Sequence, residues 1–120
     1  VELPSGGWLR LEPTQAMTTI DASSGSHDAP ARAINVEAAG LIARQIRLRG
    51  LGGLIAIDFI DMTETDDAEA VLHALDDGFA SDKEPVRIGP ISEFGVVEMT
   101  RRRGGMTLSQ TLREAGIDTV

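Results

Sequence analysis

Gly52-Gly53-Leu54-Ile55-Ala56-Ile57-Asp58-Phe59-Ile60-Asp61-Met62 is the stretch that decides the fold. A short, isoleucine-rich run after a glycine pair is too brief for a helix of ordinary length and reads as a buried strand. Asp58 interrupts it. A carboxylate among Ile57, Phe59 and Ile60 is costly to desolvate unless a cation or several donors compensate it, so it needs a partner. Two readings are open: a ligand for a hard divalent cation at the strand's carboxyl end, or a structural acid receiving backbone N–H bonds where the strand turns. Asp61 lies where the apolar run stops before Met62-Thr63, and it suits a turn or a helix cap.

Upstream, residues 35–49 read as a helix, with Asn35 as N-cap, Glu37 in the first turn, Ala38, Ala39, Ile42 and Ile46 as the buried stripe, and Gly50 as the stop. Arg44 and Arg47 fall three apart on another face, where they either complement the helix's carbonyl end or form a phosphate-binding patch. Residues 22–33 are small and polar and read as a mobile loop carrying a lone histidine, His27. Residues 8–12 alternate as a strand, Pro13-Thr14-Gln15 turns it, and residues 16–21 complete a hairpin that Asp21 ends. If the helix crosses over between the strands ending at Asp21 and Asp58, a right-handed connection makes those strands parallel and brings both acids to one edge of the sheet. Mg²⁺ suits such sparse oxygen ligation, because it retains several waters and completes its shell from a substrate phosphate. A retained water can then be the nucleophile.

Downstream, Thr63 and Asp66 have capping-box-like spacing, and Ala68, Val71, Leu72, Leu75 and Phe79 form the apolar face of a second helix whose other side is acidic. Residues 86–88 and 96–99 read as two short strands limited by Pro90 and Gly95, with Phe94 in the loop between them as a core plug. Arg101-Arg102-Arg103 is either a charged exit from the sheet or a run suited to a phosphate backbone. Thr107 and Gln110 suggest a short terminal helix stopped by Gly116.

The 120-residue length fits one domain. With no cysteine and only His27 and His73, a disulfide framework is excluded and a Cys/His zinc site nearly so. No stretch approaches the roughly 20 apolar residues of a membrane span, and the amino terminus lacks a secretion-signal pattern, so a soluble protein of a reducing, cytoplasmic compartment is expected. The start at Val1 suggests a piece excised from a longer chain. The net charge of −8 opposes nucleic acid at first sight, but residues 61–84 hold nine acids against Lys83, and the remaining ten acids are matched by ten arginines. The excess therefore sits in one element, leaving room elsewhere for basic patches.

Several stretches carry a specific resemblance: Leu3-Pro4-Ser5-Gly6-Gly7, Thr18-Thr19-Ile20-Asp21, Asn35-Val36-Glu37-Ala38-Ala39, Ile42-Ala43-Arg44-Gln45-Ile46-Arg47-Leu48-Arg49 and Leu51-Gly52-Gly53-Leu54-Ile55. Ile57-Asp58-Phe59-Ile60-Asp61-Met62, Phe94-Gly95 and Glu98-Met99-Thr100-Arg101 complete the set. Together they resemble the catalytic region of the ribonuclease E/G family along most of the chain. The resemblance implies an α/β domain, a mixed β-sheet layered with helices, similar to a deoxyribonuclease I-like subdomain. It implies Asp21 and Asp58 as Mg²⁺ ligands, hydrolysis within single-stranded RNA to 5′-phosphate and 3′-hydroxyl ends, and Arg87 as a contact to the phosphate backbone. Arg44, Arg47, Arg101 and Arg103 are the further candidates for RNA contact. The family usually carries Asn two residues after the first aspartate, where it helps hold water or phosphate, and Ser23 stands there with a shorter arm. Glu93 replaces a common basic residue, and the loop after Asp21 looks shortened. The cysteine pair through which many members bind zinc and join subunits is absent, so an oligomer stays open but a zinc-linked tetramer is not implied. The family's oligonucleotide-binding barrel and 5′-end sensor lie outside these residues, which makes the rest of a parent chain an expected partner. The competing expectation is a catalytically degenerate RNA-binding or scaffold module, favoured by Ser23 and the acidic second helix.

Overall fold

The computed structural model describes residues 1–25 and 29–102. In chain order these form β1 (Trp8–Pro13), β2 (Thr18–Ser23), α1 (Ala31–Arg49), β3 (Gly53–Asp58), α2 (Thr65–Gly78), β4 (Val86–Ile91) and β5 (Val96–Arg101). The strands make one mixed sheet in the order β1-β2-β3-β5-β4. Among the described residues β2 and β3 are the one parallel pair; the others are antiparallel. The architecture is the expected α/β one. His27, Arg103 and the expected terminal helix lie outside the described residues.

Alternation along the strands assigns the two faces of the sheet. Leu9, Ile20, Ile55, Ile57, Val97 and Met99 point to one side and are buried with Ile34, Ile42 and Ile46 of α1 and Val71 and Leu75 of α2. Each such side chain contributes roughly 1.5–3 kcal/mol by leaving water, so this side holds the core. Residues of the other parity, among them Trp8, Arg10, Asp21, Leu54, Asp58, Glu98 and Arg87, are exposed. Both helices thus cover one face, and among the described residues nothing packs on the other. The acidic surface of α2 belongs to the covered side, with the sheet between most of its carboxylates and the open face. No helix among the described residues is long and apolar enough to cross a membrane.

Several local expectations shift. The first helix begins four residues earlier than Asn35, with Pro30 at its N-cap at φ −58°, because proline presets that angle and Ala31 and Ala33 favour helix. Its end is as expected: Gly50 adopts φ +62°, and its N–H reaches back to the Arg47 carbonyl. The strand β2 runs two residues past Asp21 to Ser23. Thr63 and Asp66 form no capping box, since α2 starts at Thr65 after Glu64 without a side-chain cap. Asp61 therefore caps nothing. β4 continues through Pro90, which an edge strand tolerates, and its register with β5 shifts between Ile88 and Ile91.

Phe94 is no core plug. It sits at the β4–β5 turn, 72% exposed. Ser92 closes that turn, its Oγ accepting from the Phe94 and Val96 N–H groups, and this leaves the ring outside. Phe94→Ser should consequently change unfolding free energy by less than about 0.5 kcal/mol. A buried aromatic would cost about 3–5 kcal/mol on truncation, so urea denaturation separates the two cases cleanly.

Candidate active site on the open sheet face

The acids meet. Asp21 and Asp58 are direct partners across the parallel β2–β3 ladder, both at the carboxyl ends of their strands. In-register neighbours on adjacent strands share a face about 4.8 Å apart, and both side chains are exposed on the open one. The crossover through α1 creates this adjacency from residues 37 positions apart in the chain.

Asp58 is not embedded in the core as its apolar neighbours suggest. Ile57 and Phe59 point into the helix layer, while Asp58, of opposite parity, points out. Its carboxyl is nonetheless pushed above the ordinary aspartate value, first by residual burial, then by the negative charges of Asp21 and Asp61. Two carboxylates set side by side on one face repel each other, and a cation between them relieves that repulsion. Among the described residues no group of three or more His, Asp or Glu side chains gathers as a ligand set. Two carboxylates completed by water form a set that fits Mg²⁺ and suits zinc poorly.

The backbone beneath Asp58 is held by Asn35. This residue lies inside α1 and is fully buried; its Oδ1 accepts the Ile60 N–H at 3.0 Å, and its Nδ2 donates to the Ile60 carbonyl at 2.7 Å. The amide thus replaces a strand partner for the segment that leaves β3 between Asp58 and Asp61. The Phe59 N–H donates to the Gly95 carbonyl at 2.9 Å and fixes the same segment from the β4–β5 turn. Asn35→Leu leaves both part-buried Ile60 groups without their partner, at about 1–3 kcal/mol each. A loss of roughly 2–5 kcal/mol in chemical denaturation is expected; a loss under about 1 kcal/mol would mean water replaces the amide.

Ser23 lies two residues after Asp21 on the same face, and its Oγ accepts the Gly25 N–H at 3.2 Å, leaving the hydroxyl proton free to donate. The loop before β1 closes against this end of β2: a Cβ at Gly7 would stand 2.5 Å from the Ser23 carbonyl. Glycine is required by that approach.

The arginines separate into three groups. Arg87 is exposed on the open face, with Thr100 as its cross-strand partner. It stands two strands across and four residues along from Asp58, roughly 10 Å by 13 Å. Arg44 and Arg47 are exposed on α1, with the sheet between them and the acids, so they do not share that site. Arg101 is corrected outright. Its guanidinium is 6% exposed, binds both Asp82 oxygens at 2.8 and 3.1 Å and donates to the Leu51 carbonyl at 2.9 Å. Its parity in β5 turns it inward, to the side the helices cover.

Sequence reasoning missed Arg10 and Trp8. Arg10 is the direct partner of Asp21, and Trp8 of Ser23, across the β1–β2 hairpin. With Asp21 and Ser23 they line a cleft of about 470 Å³. The hairpin register was the signal: once residues 8–12 pair with the Asp21 strand, parity alone puts Trp8 and Arg10 beside the acid.

Residues 1–104 match the model described as the Ribonuclease E/G family. The chain is 46% identical to Ribonuclease G of Salmonella typhimurium (strain SL1344), over 86% of this chain and 22% of that protein. It is 42% identical to Ribonuclease G of Escherichia coli (strain K12), over 93% and 24%. Ribonuclease E of Synechocystis sp. is 46% identical, over 90% and 17%. The chain spans less than a quarter of the length of these curated relatives.

Proposed function

This chain belongs to the ribonuclease E/G family, and from that premise we propose that it carries the hydrolytic site of a Mg²⁺-dependent endoribonuclease acting on single-stranded RNA. The in-register pairing of Asp21 with Asp58 on the open face is the observation that carries the reading. Asp21 and Asp58 would hold the ion, which supplies a water of lowered pKa and positive charge at the scissile phosphate.

The chain's own groups do the rest. The two carboxylates fix where the ion would sit, at the carboxyl end of the parallel strands. Ser23 donates its hydroxyl proton to the water or to a phosphate oxygen. Arg10 beside Asp21 and Arg87 farther along the face attract the backbone of the RNA and set its path across the sheet. In the reaction a water oxygen bonds to phosphorus and the bond to the 3′ oxygen breaks; that oxygen takes a proton, leaving 5′-phosphate and 3′-hydroxyl ends. The rest of a longer polypeptide supplies further grip on the RNA.

Incubating end-labelled single-stranded RNA with the intact polypeptide and with the 120-residue chain, in Mg²⁺ and in chelator, tests this. Cleavage that requires Mg²⁺ and disappears in Asp21→Asn supports it. Equal cleavage by Asp21→Asn removes the site assignment. The non-catalytic reading, favoured by Ser23 in place of the usual amide, requires RNA binding with no cleavage by the intact polypeptide.

A further inference from the structure

Trp8 is a large apolar group left in water on a charged face. A single exposed hydrophobic residue means little by itself. Its surroundings are what matter: Trp8 is 53% exposed and lines one cleft with Arg10, Ser23 and Asp21. Trp8 pairs with Ser23, and Asp21 lies two residues along that strand, which puts it on the diagonal at about 7–8 Å. That is the separation at which a base would reach an aromatic face while its own phosphate stands near the acids.

We propose that Trp8 is the stacking platform for the nucleobase adjoining the scissile phosphate, with Arg10 contacting that nucleotide's phosphate. This rests on the ribonuclease reading above and deepens it by giving the site a base-binding wall. Flat π-systems accept any base, so the subsite positions RNA without selecting sequence. Among the described residues Arg10 is held by an exposed ion pair with Glu12 at 3.5 Å, which it can leave for a phosphate at little loss. The neighbouring carboxylates repel a bare phosphate, whereas a stacked base anchors the nucleotide without adding charge. Aromatic surface beside a cation fits a single-stranded nucleic acid better than an acidic peptide, which would meet Asp21 and Asp58 head on.

Trp8 is the single tryptophan of the chain, so its fluorescence reports this site alone. The experiment titrates a short single-stranded oligoribonucleotide, and its abasic counterpart of equal length, into the Asp58→Asn chain at low salt, so that RNA stays intact. Anisotropy of a dye on the RNA reports binding; indole emission reports stacking. Intact RNA should quench Trp8 as it binds, and the abasic strand should not. Trp8→Ala should weaken binding of intact RNA about tenfold and leave abasic binding unchanged, and Trp8→Phe should restore most of the loss. Circular dichroism checks that each variant is folded, and should Trp8→Ala fail to fold, quenching in the parent chain decides by itself. Binding without quenching, or equal quenching by the abasic strand, overturns the stacking role and leaves the ribonuclease reading intact. No RNA binding by this chain or by the intact polypeptide removes that reading, and the platform with it. Emission that shifts with protein concentration alone, with RNA adding nothing, would make Trp8 a contact between copies and overturn the proposal.

Discussion

Asp58→Asn is expected to lower the rate of RNA cleavage by about three orders of magnitude or more, while leaving the metal-free protein at least as stable as the parent chain. The first half follows from the proposed role. A ligand of an ion worth several kcal/mol of transition-state stabilisation takes that stabilisation with it, at about 1.36 kcal/mol per factor of ten. The second half follows from the geometry. Asp58 ionises reluctantly in the folded chain because of residual burial and the charges of Asp21 and Asp61, so its ionised form opposes folding. For an acid whose folded pKa is raised, stability falls as pH rises from the ordinary aspartate value through the raised one. Asparagine removes that dependence. Single-turnover cleavage with Mg²⁺ and thermal unfolding with chelator measure the two halves on the same preparation. An inactive variant that also unfolds early would assign Asp58 to the fold, and an active one would end its proposed role.

Arg101→Ala should destabilise the fold by about 3–5 kcal/mol, since it leaves the Asp82 carboxylate buried without its partner and the Leu51 carbonyl without its donor. The pair is 6% and 5% exposed, which puts it well outside the range of weak surface ion pairs. Replacing both members, as Arg101→Met with Asp82→Leu, should recover much of the loss, because neither charge then needs compensation. The pH dependence has a definite sign. Bidentate hydrogen bonding from Arg101 holds the Asp82 carboxyl below its ordinary value, so the pair's contribution is complete above about pH 4. It is lost as pH falls from there through the lowered pKa. Urea unfolding across that acid range should show the loss in the parent chain and not in the double variant. If Arg101→Lys stayed folded and lost RNA affinity tenfold, a phosphate contact would have to be reinstated.

These two residues divide what local patterns reveal from what they hide. Asp58 was legible because a carboxylate in an apolar strand is unexpected, and its pairing with Asp21 followed from reading α1 as a crossover between two parallel strands. Arg101 misled because a triple-arginine run looks the same whether its first member faces RNA or the core. Phe94 misled for the converse reason, since an aromatic in a short loop between strands gives no hint of which side of the turn it takes. Asn35 looked like an N-cap because its residue type favours that position, while Pro30 and the alanines after it had already started the helix. Only the fold put its amide against Ile60.

The amino-acid sequence by itself determined the order of strands and helices, the apolar stripes that build the core, the crossover through α1 that makes β2 and β3 parallel, and the two acids that end those strands. Tertiary structure alone decided which parity of each strand faces the helices. Through that choice it set Asp58 outward, Arg101 inward, Arg44 and Arg47 behind the sheet, and the Trp8, Arg10 and Asp21 side chains on the uncovered face. The physical reason is one of range. Periodicity and turn chemistry are set by neighbours within a few residues, whereas the exposure of a strand residue depends on which strands hydrogen-bond, in what register, and which face the helices bury.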